Sequence, residues 1–252
     1  MLISVVVPFY TELSLIGRAV DSVFSQTGLA DDVSFQICIG NDGSIANQDV
    51  LDAIGEGHRA RVSIETNRFG KGPGGARNTG IEQSRGDIIA FLDADDQWLP
   101  EKTAIQLAAF AGGSSFVAGA YRFDDSETIV VPPQRLDGAL DVFWRQGIGT
   151  STAMMRRDLV GDTRFRDFRF SQDIDFWYRI AKKPGFVYEG VAQPVAIYST
   201  GGSTKNKLVQ AKSFWTVLQH NQVPLHLSVA VLSRYALRGI FNHYLSPRKR
   251  SE

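Results

Sequence analysis

The chain has 252 residues, 43% of them hydrophobic, and its 27 basic and 27 acidic side chains give a formal net charge of +0. This size suits one large α/β domain or two small ones. The balanced charge excludes a global field that would attract nucleic acid, so we expect no nucleic-acid partner. The single Cys38 cannot form a disulfide within the chain, which favours a reducing cytoplasmic setting with the thiol as core filler.

From the sequence we expect neither a secretory signal nor a membrane-spanning segment. The N-terminal residues form a strand pattern at once, without the basic and apolar regions of a secretory signal. A stretch of about 20 uncharged apolar residues, which a membrane span requires, is also missing.

Short apolar runs alternate with helical patterns along the first half of the chain. Strands are predicted at 3–7, 33–39, 62–65 and 88–92, and helices at 16–24, 48–54 and 76–84. The second half continues with a helix at 101–110, strands at 116–123, 150–155 and 187–197, and helices beginning at 140 and 171. This order predicts an α/β fold with right-handed βαβ units and a mostly parallel central sheet flanked by helices.

Polar side chains follow three of the predicted strands. Tyr10 and Glu12 come after the first strand, Asp42 after the second, and Asp93 and Asp95 after the fourth. In parallel sheets ligands bind outside the carboxyl ends of the strands. We therefore expect these residues to line one rim of the sheet.

The acidic cluster after the fourth strand has two interpretations. Asp93, Asp95 and Asp96 repel one another unless a cation lies among them, and oxygen ligands of this kind suit Mg²⁺ or Mn²⁺ bridged to phosphate. Alternatively, the three aspartates form a solvated turn before the helix that starts near Pro100.

A glycine-rich segment and two single residues also leave alternatives open. The segment from Gly70 to Gly75 is either a phosphate cradle or a flexible loop with positive φ angles, because it lacks the lysine and hydroxyl residue of a P-loop. Arg77 would reach a diphosphate or a neighbouring acid. Asp173, at a predicted helix start, is either a cap or a functional carboxylate. The small-residue loop 198–205 is of the kind that closes over a substrate.

Five motifs appear in order. They are Val5-Val6-Val7-Pro8-Phe9-Tyr10, Asn41-Asp42-Gly43-Ser44, Gly75-Ala76-Arg77-Asn78-Thr79-Gly80, Phe91-Leu92-Asp93-Ala94-Asp95-Asp96, and Gln172-Asp173 leading into Asp175-Phe176-Trp177-Tyr178-Arg179. Over about residues 2–205 the chain resembles the family-2 glycosyltransferases, which are inverting enzymes with the GT-A fold. Within that family it is most similar to bacterial enzymes that build exopolysaccharide or other surface glycans.

The resemblance implies a set of ligands and site residues. The ligands are a nucleotide-sugar donor, with UDP as the expected nucleotide, a saccharide or lipid-linked saccharide acceptor, and Mn²⁺ or Mg²⁺. The donor-binding residues would be Pro8, Tyr10, Glu12, Asp42, Arg77, Asp93, Ala94 and Asp95. Asp95 would be the preferred direct metal ligand, with Asp93 beside it in the D-x-D site. Asp173 would be the general base, and Gln172, Trp177 and Ser203 would lie on the acceptor side.

The sequence departs from the family pattern at three places. The usual pair of aspartates before Gly43 is Asn41-Asp42, which keeps the position that contacts the base in relatives. The usual Glu-Asp pair is Gln172-Asp173, which keeps the general base and loses an acid. A histidine that many relatives carry after the last strand is missing from 198–204.

Two other classes of enzyme would need sequence signatures that are missing here, and one binding function remains as an alternative. A sugar nucleotidyltransferase should carry a glycine- and arginine-rich signature after the first strand, and a dehydrogenase needs a dinucleotide fingerprint there. Residues 8–12 contain neither. A non-catalytic protein that binds sugar nucleotides or glycans remains an alternative to the transferase.

We expect a catalytic domain over 1–205, with a nucleotide half at about 1–98 and an acceptor half at about 99–205, followed by a helical extension over 206–252. In the extension, apolar residues recur at helical spacing: Leu225, Val229, Leu232, Ala236 and Ile240. The chain closes with Arg248, Lys249 and Arg250. This helix either packs on the catalytic domain or lies on the cytoplasmic face of the cell membrane as a peripheral contact.

Overall fold

The computed structural model describes residues 1–200 and 207–244. The chain consists of two compact units, Met1–Ser203 and Thr204–Glu252.

The first unit is built on one mixed sheet. Its strands are β1 (Leu2–Phe9), β2 (Ser34–Asn41), β3 (Val62–Thr66), β4 (Ile88–Phe91), β5 (Gln97–Trp98), β6 (Phe116–Phe123), β7 (Ile129–Val130), β8 (Met154–Arg156) and β9 (Tyr188–Tyr198). Its helices are α1 (Ile16–Phe24), α2 (Asn47–Asp52), α3 (Glu56–Arg59), α4 (Pro73–Gln83), α5 (Lys102–Ala111), α6 (Asp141–Arg145), α7 (Arg157–Val160) and α8 (Gln172–Ala181). A 3₁₀ turn, Thr150–Thr152, precedes β8.

The strands run in the order β3-β2-β1-β4-β8-β6-β9-β5, and β7 pairs with β6. The α/β class is as predicted, and β3, β2, β1 and β4 are parallel. Beyond β4 the sheet is mixed: β6 and β9 are parallel, whereas β8 is antiparallel to both of its neighbours and β5 is antiparallel to β9. β8 begins beside the carboxyl end of β4 and runs back along it, since Ala90 pairs with Met154 and Ile88 with Arg156.

The core lies on both faces of the central strands. All four residues of β4 are buried, as expected for a strand covered on both sides. On one face, α1 presents its buried side chains at helical spacing: Ile16, Ala19, Val20 and Val23. On the other side α4 approaches β2 closely, because a Cβ atom on Gly40 would lie 2.0 Å from the carbonyl oxygen of Ala76. This close contact sets the position of the first turn of α4.

The second unit contains α9 (Lys207–His220) and α10 (Leu225–Tyr244). Gln219 Nε2 on α9 donates a 3.4 Å hydrogen bond to Ser228 Oγ on α10. Leu225 and Val229 on α10 are exposed to solvent. None of the helices within 1–200 and 207–244 combines the length and apolar character that a membrane span requires. Arg248, Lys249 and Arg250 lie outside the described residues.

Candidate active site

A cleft of about 630 Å³ opens at the carboxyl ends of β1, β2 and β4 and at the end of β9. The residues that line it are Pro8, Phe9, Tyr10, Glu12, Asp42, Lys71, Gly72, Pro73, Ala76, Arg77, Asp93, Asp95, Asp96, Phe123, Tyr198 and Ser199. The structure thus brings together the polar residues that follow the first, second and fourth strands of the chain. Their position is the one at which open α/β sheets bind ligands.

Two carboxylates at the β1 and β2 side of the cleft are fixed by backbone and amide donors. Asp42 Oδ1 accepts a 2.6 Å hydrogen bond from Asn67 Nδ2, and its Oδ2 accepts a 2.7 Å bond from the amide of Gly72. Glu12 Oε2 accepts from the amides of Tyr10 and Thr11, at 2.8 Å each. Because each contact removes rotational freedom, these acids are held in place before any ligand binds.

The glycine-rich segment lies against the cleft as the N-terminus of α4. Gly72, with φ of 110°, precedes Pro73 at the first helical position. Gly75 cannot carry a side chain, since its Cβ would lie 1.8 Å from the carbonyl oxygen of Gly70. The helix therefore begins three residues before the predicted start at Ala76. The free amides and positive dipole end of such a helix favour an anion.

Arg77 lies in the first turns of α4 with only 5% of its surface exposed. Its Nη2 donates a 2.6 Å hydrogen bond to Asp93 Oδ1. Burial alone would lower the pKa of the guanidinium, but the Asp93 carboxylate outweighs burial and raises it. The buried Nε has no hydrogen-bond partner among the residues that the structure describes, although Arg77 lines the cleft. A buried donor of this kind suits a ligand oxygen.

Asp95 and Asp96 have different environments. Asp95 is half-buried, and burial followed by repulsion from Asp93 raises the pKa of its carboxyl group. Asp96 is 3% exposed and is bonded inward, with Oδ2 accepting from Ser151 Oγ at 2.5 Å and Oδ1 accepting from the amide of Ser199 at 2.9 Å. Burial, and then Asp93, raises the pKa of Asp96 to about 8. Of the three acids, Asp95 is the one whose carboxylate is left for a ligand.

The carboxylate oxygens of Asp93 and Asp95 suit a divalent cation that also binds a phosphate group. Within the described ranges, no group of three or more histidine, cysteine or acidic side chains is arranged to hold a metal ion by itself. Mg²⁺ commonly takes one or two carboxylates and completes its shell with water and phosphate oxygens. Asp95, with Asp93 beside it, provides such oxygens, and their mutual repulsion is the kind that a cation relieves.

Asp173 lies in the first turn of α8 and is half-buried. Burial raises the pKa of its carboxyl group, while the amide of Ile174 and the charge of Arg77 act in the opposite direction. Asp173 also raises the pKa of Tyr121 by repulsion, after burial. It is not one of the residues that line the cleft, but these interactions link it to the Arg77–Asp93 pair.

Besides Asp173, four of the predicted residues lie away from the cleft wall or outside the described residues. Trp177 is 1% exposed, its ring packs against Phe91, Phe116 and Phe176, and it does not line the cleft, so its contact with an acceptor stays a prediction. The Ala94 side chain is buried in the core. Ser203 lies outside the described residues.

Gln172 is also buried, and a Cβ atom on Gly74 would lie 2.3 Å from its Oε1. Its side chain therefore packs on the first turn of α4, against the glycine-rich segment. Gln172 does not line the cleft.

Sequence reasoning missed several residues that form or support the cleft. Lys71 and Phe123 line it, and the buried Ser151 contacts three of the residues that line it, Asp93, Asp96 and Tyr198. The exposed cation of Lys71 beside a glycine-rich segment was the one available signal. The contacts of Ser151 join positions that are 47 to 58 residues apart, and no local pattern predicts them.

The chain is similar in sequence to known glycosyltransferases. The sequence profile of Glycosyl transferase family 2 matches residues 4–174. The glucosyltransferase WfgD of Escherichia coli, named as a UDP-Glc:alpha-D-GlcNAc-diphosphoundecaprenol beta-1,3-glucosyltransferase, is 28% identical over 96% of this chain and 95% of its own length. TuaG of Bacillus subtilis, named as a putative teichuronic acid biosynthesis glycosyltransferase, is 29% identical over 86% of both chains.

Solved structures share the fold at low sequence identity. S. aureus TarS 1-349 in complex with UDP-GlcNAc superposes with a TM-score of 0.67 at 15% identity, over 98% of this chain and 76% of that one. The mannosyltransferase PcManGT from Pyrobaculum calidifontis, in complex with GDP-Man and Mn²⁺, gives a TM-score of 0.63 at 16% identity, over 96% and 70%.

The fold and the cleft thus define a glycosyltransferase with the GT-A fold. More narrowly, the chain belongs to glycosyltransferase family 2, as the resemblance in the sequence implied.

Proposed function

We propose that this enzyme transfers a sugar from a UDP donor to a saccharide or lipid-linked saccharide acceptor, with inversion at the anomeric carbon. The observation that carries the proposal is a single cleft that joins Asp42, the N-terminus of α4 with Arg77, and Asp95. These groups match, in order, a nucleoside, a diphosphate and a cation held between diphosphate and protein. The donor named for WfgD and the ligand of TarS support a uridine nucleotide.

In the proposed complex, the nucleoside lies between Pro8, Tyr10 and Asp42. The diphosphate lies against the first turn of α4, where Lys71 and the unpaired Nε of Arg77 supply positive charge and a donor. Asp95 would hold a Mn²⁺ or Mg²⁺ ion that, when bound, offsets the charge developing on the leaving diphosphate.

Asp173 acts as the general base. It removes the proton of an acceptor hydroxyl as that oxygen bonds to the anomeric carbon and the bond to the diphosphate breaks. Because the acceptor attacks from the face opposite the leaving group, one displacement inverts the configuration. The raised pKa of Asp173 makes its carboxylate a stronger base than an ordinary aspartate.

We assign the donor half of the enzyme to about 1–98 and the acceptor half to about 99–205, with 206–252 as a helical extension. The acceptor named for WfgD is lipid-linked, so we propose that this enzyme also works at the cytoplasmic face of the cell membrane. The exposed Leu225 and Val229 of α10 support a peripheral contact there.

A panel of UDP- and GDP-sugars tests the proposal. Each is incubated with the enzyme and Mn²⁺, release of nucleoside diphosphate is measured, and the anomeric configuration of any product is read by NMR. We expect turnover of a UDP-sugar and an inverted product. Donor binding without hydrolysis or transfer would support a non-catalytic binding protein, and turnover of GDP-sugars alone would overturn the uridine assignment.

A further inference from the structure

Ser151 is completely buried on the 3₁₀ turn before β8, and all its polar groups are bonded. Its Oγ donates to Asp96 Oδ2 at 2.5 Å and accepts from the amide of Asp93 at 3.0 Å. Its amide donates to the Tyr198 hydroxyl at 2.9 Å, and its carbonyl oxygen accepts from Trp98 Nε1 at 2.8 Å. One small side chain and its backbone thus contact four residues.

Three of these partners, Asp93, Asp96 and Tyr198, line the cleft. Asp93 and Asp96 flank Asp95 on the loop after β4, and Trp98 follows on β5, which pairs with the end of β9. Tyr198 is the last residue of β9, and the other oxygen of Asp96 accepts from the amide of Ser199. Ser151 therefore joins the loop that carries Asp95 to the end of β9, directly and through Asp96.

We propose that Ser151 is a positioning residue that holds the loop Asp93–Asp96 in the conformation required for binding the donor diphosphate and its cation. This inference rests on the proposed function for its ligand. The hydroxyl fixes the loop twice, as acceptor for the Asp93 amide and as donor to Asp96, on either side of Asp95. Without it, the half-buried amide of Asp93 and the buried carboxyl group of Asp96 each lose a partner, and the loop must move to regain one.

The alternative role for Ser151 is space filling, since a small residue on a buried turn fits closely packed surroundings. Two substitutions separate the roles. Ser151→Ala removes the hydroxyl, and Ser151→Cys keeps a side chain of similar size with a much weaker hydrogen-bonding group. If the hydrogen bonds of Ser151 position the loop, both variants should lose that positioning. If only the volume of the side chain matters, the cysteine variant should hold the loop as wild type does.

The matched control is Ser115, which is also buried and whose hydroxyl makes the same kinds of bond. Ser115 Oγ donates to the carbonyl oxygen of Gly185 and accepts from the amide of Val187, both at 2.8 Å. None of these three residues lines the cleft. Ser115→Ala thus costs similar bonds at a place that should not affect the donor.

The first experiment measures amide hydrogen exchange in the full chain without ligand. We expect Ser151→Ala and Ser151→Cys to speed exchange at Asp93 and Ser199 by about tenfold or more, with β2 unchanged. Ser115→Ala should speed exchange at Val187 only. Unchanged exchange at Asp93 in both Ser151 variants, or a cysteine variant that behaves as wild type, would overturn the proposal. If neither variant folds, Tyr198→Phe tests the same connection through faster exchange at Ser151 and Asp93, and unchanged exchange there overturns it.

The second experiment is calorimetry with UDP in the presence of Mn²⁺. We expect both Ser151 variants to bind about tenfold more weakly than wild type, and Ser115→Ala to bind as wild type does. Equal affinity in all four proteins would overturn the positioning role. If wild type itself does not bind UDP, the proposed donor is wrong, and the exchange experiment still decides whether Ser151 holds the loop.

Discussion

Arg77 Nη2 and Asp93 Oδ1 lie 2.6 Å apart, and this ion pair joins the first turns of α4 to the acidic loop after β4. The guanidinium is almost fully buried, so its charge is balanced mainly by Asp93. Asp93 is therefore occupied by Arg77, which leaves Asp95 as the proposed ligand of a cation. The same pair holds Arg77, with its unbonded Nε donor, beside the place where the proposed diphosphate lies.

Replacing the proposed general base should separate transfer from binding. We expect Asp173→Asn to lower kcat for transfer by about 10²-fold or more while donor affinity stays as in wild type, because a general base acts on the acceptor. Steady-state kinetics and UDP calorimetry measure the two quantities. Asp158→Asn is the matched control, since Asp158 Oδ1 accepts from the amide of Leu159 at another helix start. Equal loss of transfer and donor binding in Asp173→Asn would mark the residue as a structural cap.

As the pH is lowered, the transfer rate should begin to fall at a higher pH than it would if the general base were an aspartate of ordinary pKa. Burial raises the pKa of Asp173 above its usual 3.8, and only the deprotonated carboxylate accepts a proton. Activity is thus lost as the pH falls through the raised pKa. A pH profile of kcat/KM measures this limb, which should be missing from the residual activity of Asp173→Asn. The same acid limb in both proteins would assign it to another group.

Lys102 offers a prediction on stability that is independent of the site. It is completely buried, its ammonium lies 3.9 Å from the centre of the Trp98 ring, and burial holds its pKa well below 10.5. The unfolded chain keeps Lys102 protonated up to about that pH, so unfolding takes up a proton and stability rises with pH between the lowered pKa and 10.5.

Lys102→Met should therefore stabilise the fold at pH 7, on the order of 1 kcal/mol, and the gain should shrink as the pH approaches 10.5. The lost bond to Gln106 Oε1 offsets part of the gain. Urea unfolding at pH 7 and at a pH near 10 measures both values. Lys212→Met, at an exposed position on α9, should change neither. A Lys102→Met variant that is less stable at pH 7 would contradict this account.

The C-terminal extension should bind anionic vesicles weakly and in a salt-sensitive way. Each basic residue near an anionic surface adds roughly 1 kcal/mol, which is enough for reversible docking. Replacing Arg248, Lys249 and Arg250 together with alanine should reduce binding, while transfer to a water-soluble acceptor should not change. Sedimentation with vesicles at low and high salt measures it. An intact protein that stays in the supernatant at low salt would show that the tail does not dock.

Much of the donor side of the cleft was predictable because it follows from strand order. Apolar runs locate β1, β2 and β4, parallel strands end at one edge, and the polar residues just beyond them must meet there. Periodicity also predicted α1 and β6 with the bounds that the structure has.

The acceptor side was less predictable because its contacts join distant segments. Trp177 lies in a helix whose apolar pattern does not indicate which face turns towards the cleft. The packing of its ring against Phe91 and Phe116 turns it into the core. The direction of β8 depends on where the preceding connection re-enters the sheet, which is a property of the fold. Ser151 meets Asp96 across 55 positions of the chain.

The central claim is that the cleft binds a nucleoside diphosphate through a cation held by Asp95. Calorimetry of UDP with and without Mn²⁺ tests it most directly, on wild type, on Asp95→Ala and on Asp125→Ala, an exposed acid that does not line the cleft. We predict that Mn²⁺ strengthens UDP binding in wild type and in Asp125→Ala, and that this effect is lost in a folded Asp95→Ala. UDP affinity that is the same with and without Mn²⁺ in all three proteins would contradict the claim.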